Sequence, residues 1–185
     1  MKRLRLNLGC GREIDPNAVN VDRNPFPGVD LVCDIRQLPV GSRTVDEIVA
    51  SSVLEHLLTP YPVLDEIHRV LRPSGVLWVR VPCLGTYAAH ADPTHRFLAD
   101  LKTWRGILGG YFHKVRVSSE GTKYRDNKLL AGLNLLLIKG LRFHELAQTW
   151  IFRCSAKREE ARKNPTVWWL TPSGAVVDGL VGMPR

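Results

Sequence analysis

The residues best suited to chemistry open this 185-residue sequence almost at once. Residues 6–22 read LNLGCGREIDPNAVNVD, an apolar run, two closely spaced glycines and then an acid. Gly9 and Gly11 let the backbone approach a ligand where a side chain would block it. Asp22 can offer two carboxylate oxygens to the two ribose hydroxyls of an adenosine-containing cofactor. The dinucleotide fingerprint G-x-G-x-x-G needs a third glycine, which lets strand and helix close on a pyrophosphate. Ile14 occupies that position. The stretch therefore favours a nucleoside cofactor without a pyrophosphate. A second cluster, YAAHADPTH, gathers Tyr87, His90, Asp92 and His95 in one short loop. Such groups can orient an acceptor or take its proton. Two histidines and an acid make a metal site conceivable in that loop, but with no thiol, second acid or i,i+4 histidine spacing the signal for one is weak and none is assigned.

The elements that must position these residues alternate through the first half. Short strands are read at Leu4–Leu8, Val19–Val21, Val29–Cys33, Glu47–Ser51 and Gly75–Pro82, each closed by Gly, Pro, Asn or Asp or ending in Ser. In PYPVLDEIHRVLRPSG, Val63, Leu64, Ile67, Val70 and Leu71 recur at helical spacing, Asp65 can pair with Arg69, and Pro73-Ser74-Gly75 stops the helix. Strands interleaved with crossovers imply a parallel sheet, in which ligands bind at the carboxyl ends of the strands. The second half reads as a helix, PTHRFLADLKTWRGILGG, ending at Gly109-Gly110, a strand around His113–Ser118, the apolar helix NKLLAGLNLLLIKGL and a final strand in AQTWIFRCSAK. The apolar helix is either a packed core helix or an interaction surface, and too short to span a membrane.

The run from LNLGCG through VDRNP, CDIRQLP, VDEIVASSVLEHL and LDEIHRVLRPSGVLWVRVP resembles the class I S-adenosylmethionine-dependent methyltransferases, in particular the small bacterial methyltransferase-11-like group. The likeness covers roughly residues 4–100, and DPTHRFL followed by a Trp extends it. It implies an α/β, Rossmann-like sheet, mostly parallel with an antiparallel last strand, and S-adenosylmethionine as cofactor. By the same resemblance, the backbone of Leu8, Gly9, Cys10 and Gly11 meets the methionine carboxylate. Asp22, with Arg23 beside it, holds the ribose. Asp34 and the Ile35 N–H meet the adenine. Ser51 and Ser52 border the sulfonium, and Leu54, Glu55 and His56 stand at the mouth of the acceptor pocket. Methyl transfer from a sulfonium needs alignment and desolvation more than a nucleophile or metal. His56, Tyr87 and His95 are the candidate catalytic residues, the last two on a loop read as a lid over the pocket.

The chain also departs from that pattern. Only ten residues separate Gly11 from Asp22, too few for a full turn, helix and strand. The first crossover helix is therefore expected to be almost absent, and one flank of the sheet thinly covered. That flank would present apolar surface to residues 159–185, or to a second subunit in a homodimer. Residues 1–158 are read as the methyltransferase domain and 159–185, with Trp168 and Trp169, as an extension packing on it or on a partner.

Composition bounds the rest. An apolar share of 44% and a charged share of 24% suit a globular chain. Four separate cysteines and no signal-like N-terminus point to a cytoplasmic protein without a membrane span. Residues 1–89 balance 10 Lys and Arg against 10 Asp and Glu, whereas residues 90–185 carry 16 against 8. The acceptor is expected to be a small molecule or glycan. A basic second half keeps RNA or another polyanion as the alternative, and the shortened crossover admits a cofactor-binding module without catalysis.

Overall fold

A computed structural model describes residues 3–121, 128–141 and 147–162. Its strands are β1 (Arg5–Leu8), β2 (Val19–Asp22), β3 (Leu31–Val32), β4 (Val45–Ser51), β5 (Leu71–Pro82), β6 (Phe112–Glu120) and β7 (Thr149–Lys157). Helices α1 (Tyr61–Val70), α2 (Tyr87–His90), α3 (Leu101–Tyr111) and α4 (Lys128–Leu141) accompany them. The strands form one sheet in the order β3-β2-β1-β4-β5-β7-β6. The first five are mutually parallel, and β7 runs antiparallel between β5 and β6. This is the Rossmann-like sheet, mostly parallel with an antiparallel last strand, that the resemblance implied.

Register sorts the side chains into two faces. Leu6, Ile48, Leu77 and Cys154 lie in one row, and Val79 pairs with Phe152, which pairs with Val117. These residues are buried or nearly so, and with Val63, Leu64 and Ile67 of α1 and Trp104, Ile107 and Leu108 of α3 they belong to one core. Helix α1 ends at Val70 because Leu71 turns extended and joins β5 ahead of Pro73. Its Arg69 pairs with Glu66 rather than Asp65, donating from Nε to Glu66 Oε2 at 2.7 Å, while Asp65 accepts from Tyr111 Oη at 2.8 Å.

The opposite face carries Arg5, Asn7, Asn20, Glu47, Val49, Trp78, Arg80, Arg116 and Arg153. No helix occurs in the connections β1–β2, β2–β3 or β3–β4. The loss of the first crossover helix is therefore as expected, and it extends to the next two connections. The flank left behind is largely polar, however, and not the apolar surface anticipated, because the strand alternation sends Leu6 and Leu8 to the core and Asn7 outward. The extension beyond residue 162 lies outside the described residues. Helix α4 buries Asn134 and Ile138 and exposes Leu129, Leu133 and Leu136, so it is not a packed core helix.

A polar network stands where the first helix would. Asn7 Nδ2 donates to Asn20 Oδ1 at 3.1 Å and to Glu13 O at 2.9 Å. Asn20 Oδ1 also accepts from Asp15 N at 2.8 Å, and Asn20 Nδ2 donates to Asp15 O at 3.0 Å and to Asp30 Oδ2 at 3.1 Å. Both asparagines are buried. Replacing one strands several partners, and each buried polar group left without a partner costs about 1–3 kcal/mol. Asn20→Leu, close in size, is expected to lower the unfolding free energy by about 2–4 kcal/mol. Chemical denaturation of the two proteins checks this. A loss below about 1 kcal/mol would show that the network does not hold the loop.

Candidate functional site

Because β3, β2, β1 and β4 are adjacent and parallel, their carboxyl ends share one edge, which brings together Gly9, Cys10, Gly11, Asp22, Arg23, Asp34, Ser51 and Ser52. The glycine loop is tied to β2 by Cys10 N donating to Val21 O at 3.1 Å and Gly11 N donating to Asp22 Oδ2 at 2.8 Å. Asp22 Oδ1 accepts from Asn24 N at 2.8 Å. The buried Asp22 therefore shapes the loop as well as facing the edge. A carboxylate has about four lone-pair sites, so capacity remains for two ribose hydroxyls.

The two glycines serve different needs. Both adopt left-handed backbone, with φ of 62° at Gly9 and 53° at Gly11. A Cβ on Gly9 would lie 2.3 Å from Val53 Cγ2, whereas one on Gly11 would meet nothing within 4 Å. The close approach at Gly9 is thus to a side chain of this protein. Ile14 packs so closely on Gly28 that a Cβ there would sit 2.8 Å from Ile14 Cγ1. The residue that replaces the fingerprint glycine is a prop for the loop.

Ser52 also has a left-handed backbone, with φ of 52°. For a residue other than glycine that is strained, and such strain concentrates at functional sites. It turns the chain out of β4 into a 3-10 turn, Leu54–His56. Leu8 and Ile35 are buried in the core, so any part they play at this edge is through their backbone. Asp34 is engaged by Arg36, whose Nε lies 2.9 Å from Asp34 Oδ2. That guanidinium holds the Asp34 carboxyl below the usual carboxylate range.

Beyond β5 the chain returns to the same edge. Arg96 N and Phe97 N both donate to Glu55 O, at 2.7 and 2.9 Å. These bonds hold residues 95–99, which follow a turn at 93–94, outside any helix, and α3 begins only after Asp100, whose Oδ1 accepts from Thr103 N at 2.7 Å. The helix read within PTHRFLADLKTWRGILGG therefore starts later than its first residues. The same clamp sets His95 against His56, ring edge to face with centroids 4.8 Å apart. Two of the three candidate catalytic residues thus meet. Tyr87 stands apart on α2, with 87% of its surface exposed.

Sequence reading missed the depth of Glu55. It is only 2% exposed, and its Oε2 has no hydrogen-bond partner among the described residues. Burial pushes its carboxyl up to about 7. The available signal was its place in LEHL, where the neighbouring leucines predict a buried turn. A cavity of about 790 Å3, lined by Arg43, Pro73, His113, Lys157 and Arg158 among others, includes none of these groups.

Residues 6–79 match the family described as a methyltransferase domain. A thiol S-methyltransferase of Homo sapiens is 30% identical over 99 residues, covering 47% of this chain and 40% of that protein. A malonyl-[acyl-carrier protein] O-methyltransferase of Laribacter hongkongensis is 50% identical over 48 residues, covering 25% of this chain and 16% of that protein. The chain thus spans well under half of either relative. Among solved structures, a SAM dependent methyltransferase from Archaeoglobus fulgidus superimposes with a TM-score of 0.61 at 17% identity, covering 84% of this chain and 86% of that one. The resemblance to class I S-adenosylmethionine-dependent methyltransferases is borne out, both in sequence and in fold. The cofactor of that class is S-adenosylmethionine. No helix among the described residues is long and apolar enough to cross a membrane.

The contrast between the glycines is testable. Gly11→Ala should cost about 1–2 kcal/mol, the price of a left-handed alanine. Gly9→Ala should cost about 3 kcal/mol or more, since overpacking adds to the same backbone strain. Adding Val53→Ala should recover part of the Gly9→Ala loss and none of the Gly11→Ala loss. Equal losses in thermal denaturation, with no recovery, would disprove the close contact.

Proposed function

We propose that this chain transfers the methyl group of S-adenosylmethionine to an acceptor entering beside His56 and His95, and that the acceptor is a small molecule or a glycan. The observation that carries the reading is the bond from Gly11 N to Asp22 Oδ2 at 2.8 Å. It sets a left-handed glycine loop and a buried acid side by side at the carboxyl edge of a class I methyltransferase sheet.

In this reading the backbone of Leu8, Gly9, Cys10 and Gly11 holds the methionine carboxylate, and Asp22 with Arg23 holds the ribose. Asp34 and the Ile35 N–H take the adenine, which requires Asp34 to share or release Arg36. Ser51 and Ser52 border the reacting end. Asp22 retains lone pairs for the ribose. The Cys10 and Gly11 amides already donate to Val21 O and Asp22 Oδ2, so meeting the methionine carboxylate requires these bonds to be shared or released. When bound, the cofactor supplies an activated methyl group on a sulfonium. The chain's own residues align the acceptor, exclude water and accept a proton where the acceptor is a hydroxyl or amine. His56 and His95 flank the entrance and orient the acceptor. Tyr87 contributes only if residues 83–91 close as a lid.

A specific observation favours a second reading, in which a polyanion such as RNA is the acceptor. Trp78, Arg80, Arg116 and Arg153 share the open face of the sheet, and the Arg153 guanidinium lies 5.6 Å from the Trp78 ring centroid. Arg116 and Arg153 beside an aromatic ring suit a phosphate backbone, while Arg80 is already paired to Glu120 at 3.1 Å. Binding of single-stranded RNA that weakens steeply as salt rises would favour it over the small-molecule reading.

Calorimetric titration with S-adenosylmethionine and S-adenosylhomocysteine tests the cofactor site. Asp22→Asn keeps the size of the side chain and should cost about 1–3 kcal/mol of affinity, roughly a 5- to 150-fold loss. Unchanged affinity in a variant that melts like the parent would overturn the assignment.

A further inference from the structure

We infer that Glu55, His56 and His95 form a binding site for a single divalent transition-metal ion. One ligand atom from each lies within 4.8 Å of the other two. Donors held about 2.1 Å from a tetrahedral ion are about 3.4 Å apart, so modest side-chain movement closes the set. No local spacing pattern joins the three, because Glu55 and His56 arrive from the 3-10 turn after β4 and Glu55 lies 40 residues before His95.

The hydrogen bonds around the cluster leave both imidazoles ready to ligate. Thr94 Oγ1 donates to Asp92 Oδ1 at 2.6 Å, since a carboxylate can only accept. Its single proton is thereby used. The 2.9 Å contact between Thr94 Oγ1 and His56 Nδ1 must then be an N–H donated by the ring. His95 Nδ1 lies 2.8 Å from Ala89 O, a carbonyl, so this ring also donates from Nδ1. In the neutral form each ring keeps the lone pair on Nε2. Metal-bound histidines almost always donate their other N–H to a backbone carbonyl, carboxylate or water, which fixes the tautomer and orientation. Here the Ala89 carbonyl and the Thr94–Asp92 pair fill those roles.

Glu55 supplies an independent observation. Its side chain is almost wholly buried, and Oε2 has no hydrogen-bond partner among the described residues. A buried carboxylate oxygen is costly unless it is bonded or coordinates a metal. Two imidazoles and one carboxylate suit Zn2+, Mn2+, Fe2+ or Co2+ better than Mg2+ or Ca2+, which prefer all-oxygen sites. Asp92 Oδ2, 3.9 Å from His95 Nε2, stands at the rim. An ion held by three side chains keeps an open position, which an acceptor oxygen or nitrogen can take.

The inference does not depend on methyl transfer: a chain that bound the ion but not the cofactor would keep this site and lose the other reading. The full chain, stripped with a chelator, is titrated with Co2+ alone and followed by visible absorption. One equivalent should bind with ligand-field bands and without thiolate-to-cobalt charge transfer. Glu55→Gln, His56→Ala and His95→Ala should each weaken binding at least tenfold, while His113→Ala, on β6, leaves it unchanged. Glu55→Gln preserves shape, so it remains informative if a histidine variant fails to fold. Absence of saturable binding to the parent chain, thiolate bands, or full affinity in Glu55→Gln would each overturn the site.

Discussion

The paired asparagines of β1 and β2 are the interaction on which the candidate site depends. Asn7 and Asn20 sit opposite one another in the parallel register and are buried together. A parallel sheet of this kind normally gains its cover from crossover helices. With the first of them absent, the loop over residues 9–18 must be held by something else. The amides of Asn7 and Asn20 grip its backbone at Glu13, Asp15 and Ala18. Net hydrogen-bond energies are small, but leaving such groups unbonded in a buried place is expensive, so the arrangement specifies one loop geometry. Asp22 then continues the same β2 strand into the site, on the side where Gly11 is fixed.

Rigidity at the other end of the site has a different origin. Ser52 redirects the chain out of β4 through a strained backbone, and Val53 occupies the space that Gly9 leaves open. The turn that follows offers Glu55 O to two successive amides of the segment beyond β5. The glycine loop, the β4 turn and the His95 segment are therefore linked by direct contacts. Those contacts transmit a displacement in one to both others.

The sheet, the two glycines, Asp22 and the missing first helix were legible because each leaves a local trace in composition or spacing. What escaped depended on contacts distant in sequence. Spacing allowed Arg69 to reach either Asp65 or Glu66, and Tyr111 on α3 decided the matter by taking Asp65. Asp92 and Asp100 are each followed by residues that could open a helix. Only the hydrogen bonds from Arg96 and Phe97 to Glu55 exclude the earlier start. The flank is polar because Asn7 and Asn20 share one face in the parallel register, which the loss of a helix alone does not reveal. Glu55 was placed at the pocket mouth, but its burial follows from the packing of the segment carrying His95.

The position of β7 bears on how the protein is made. It lies between β5 and β6, and in the described structure β6 has no other strand partner. During synthesis β6 must wait, with its backbone unpaired, until residues 149–157 have left the ribosome. Over that interval the free edges of β5 and β6 can template pairing with other nascent chains. The last described strand closes the gap between them, so the sheet is completed late and through distant contacts, a topology associated with slow folding. Cells producing this protein would have reason to keep a chaperone near the exit tunnel.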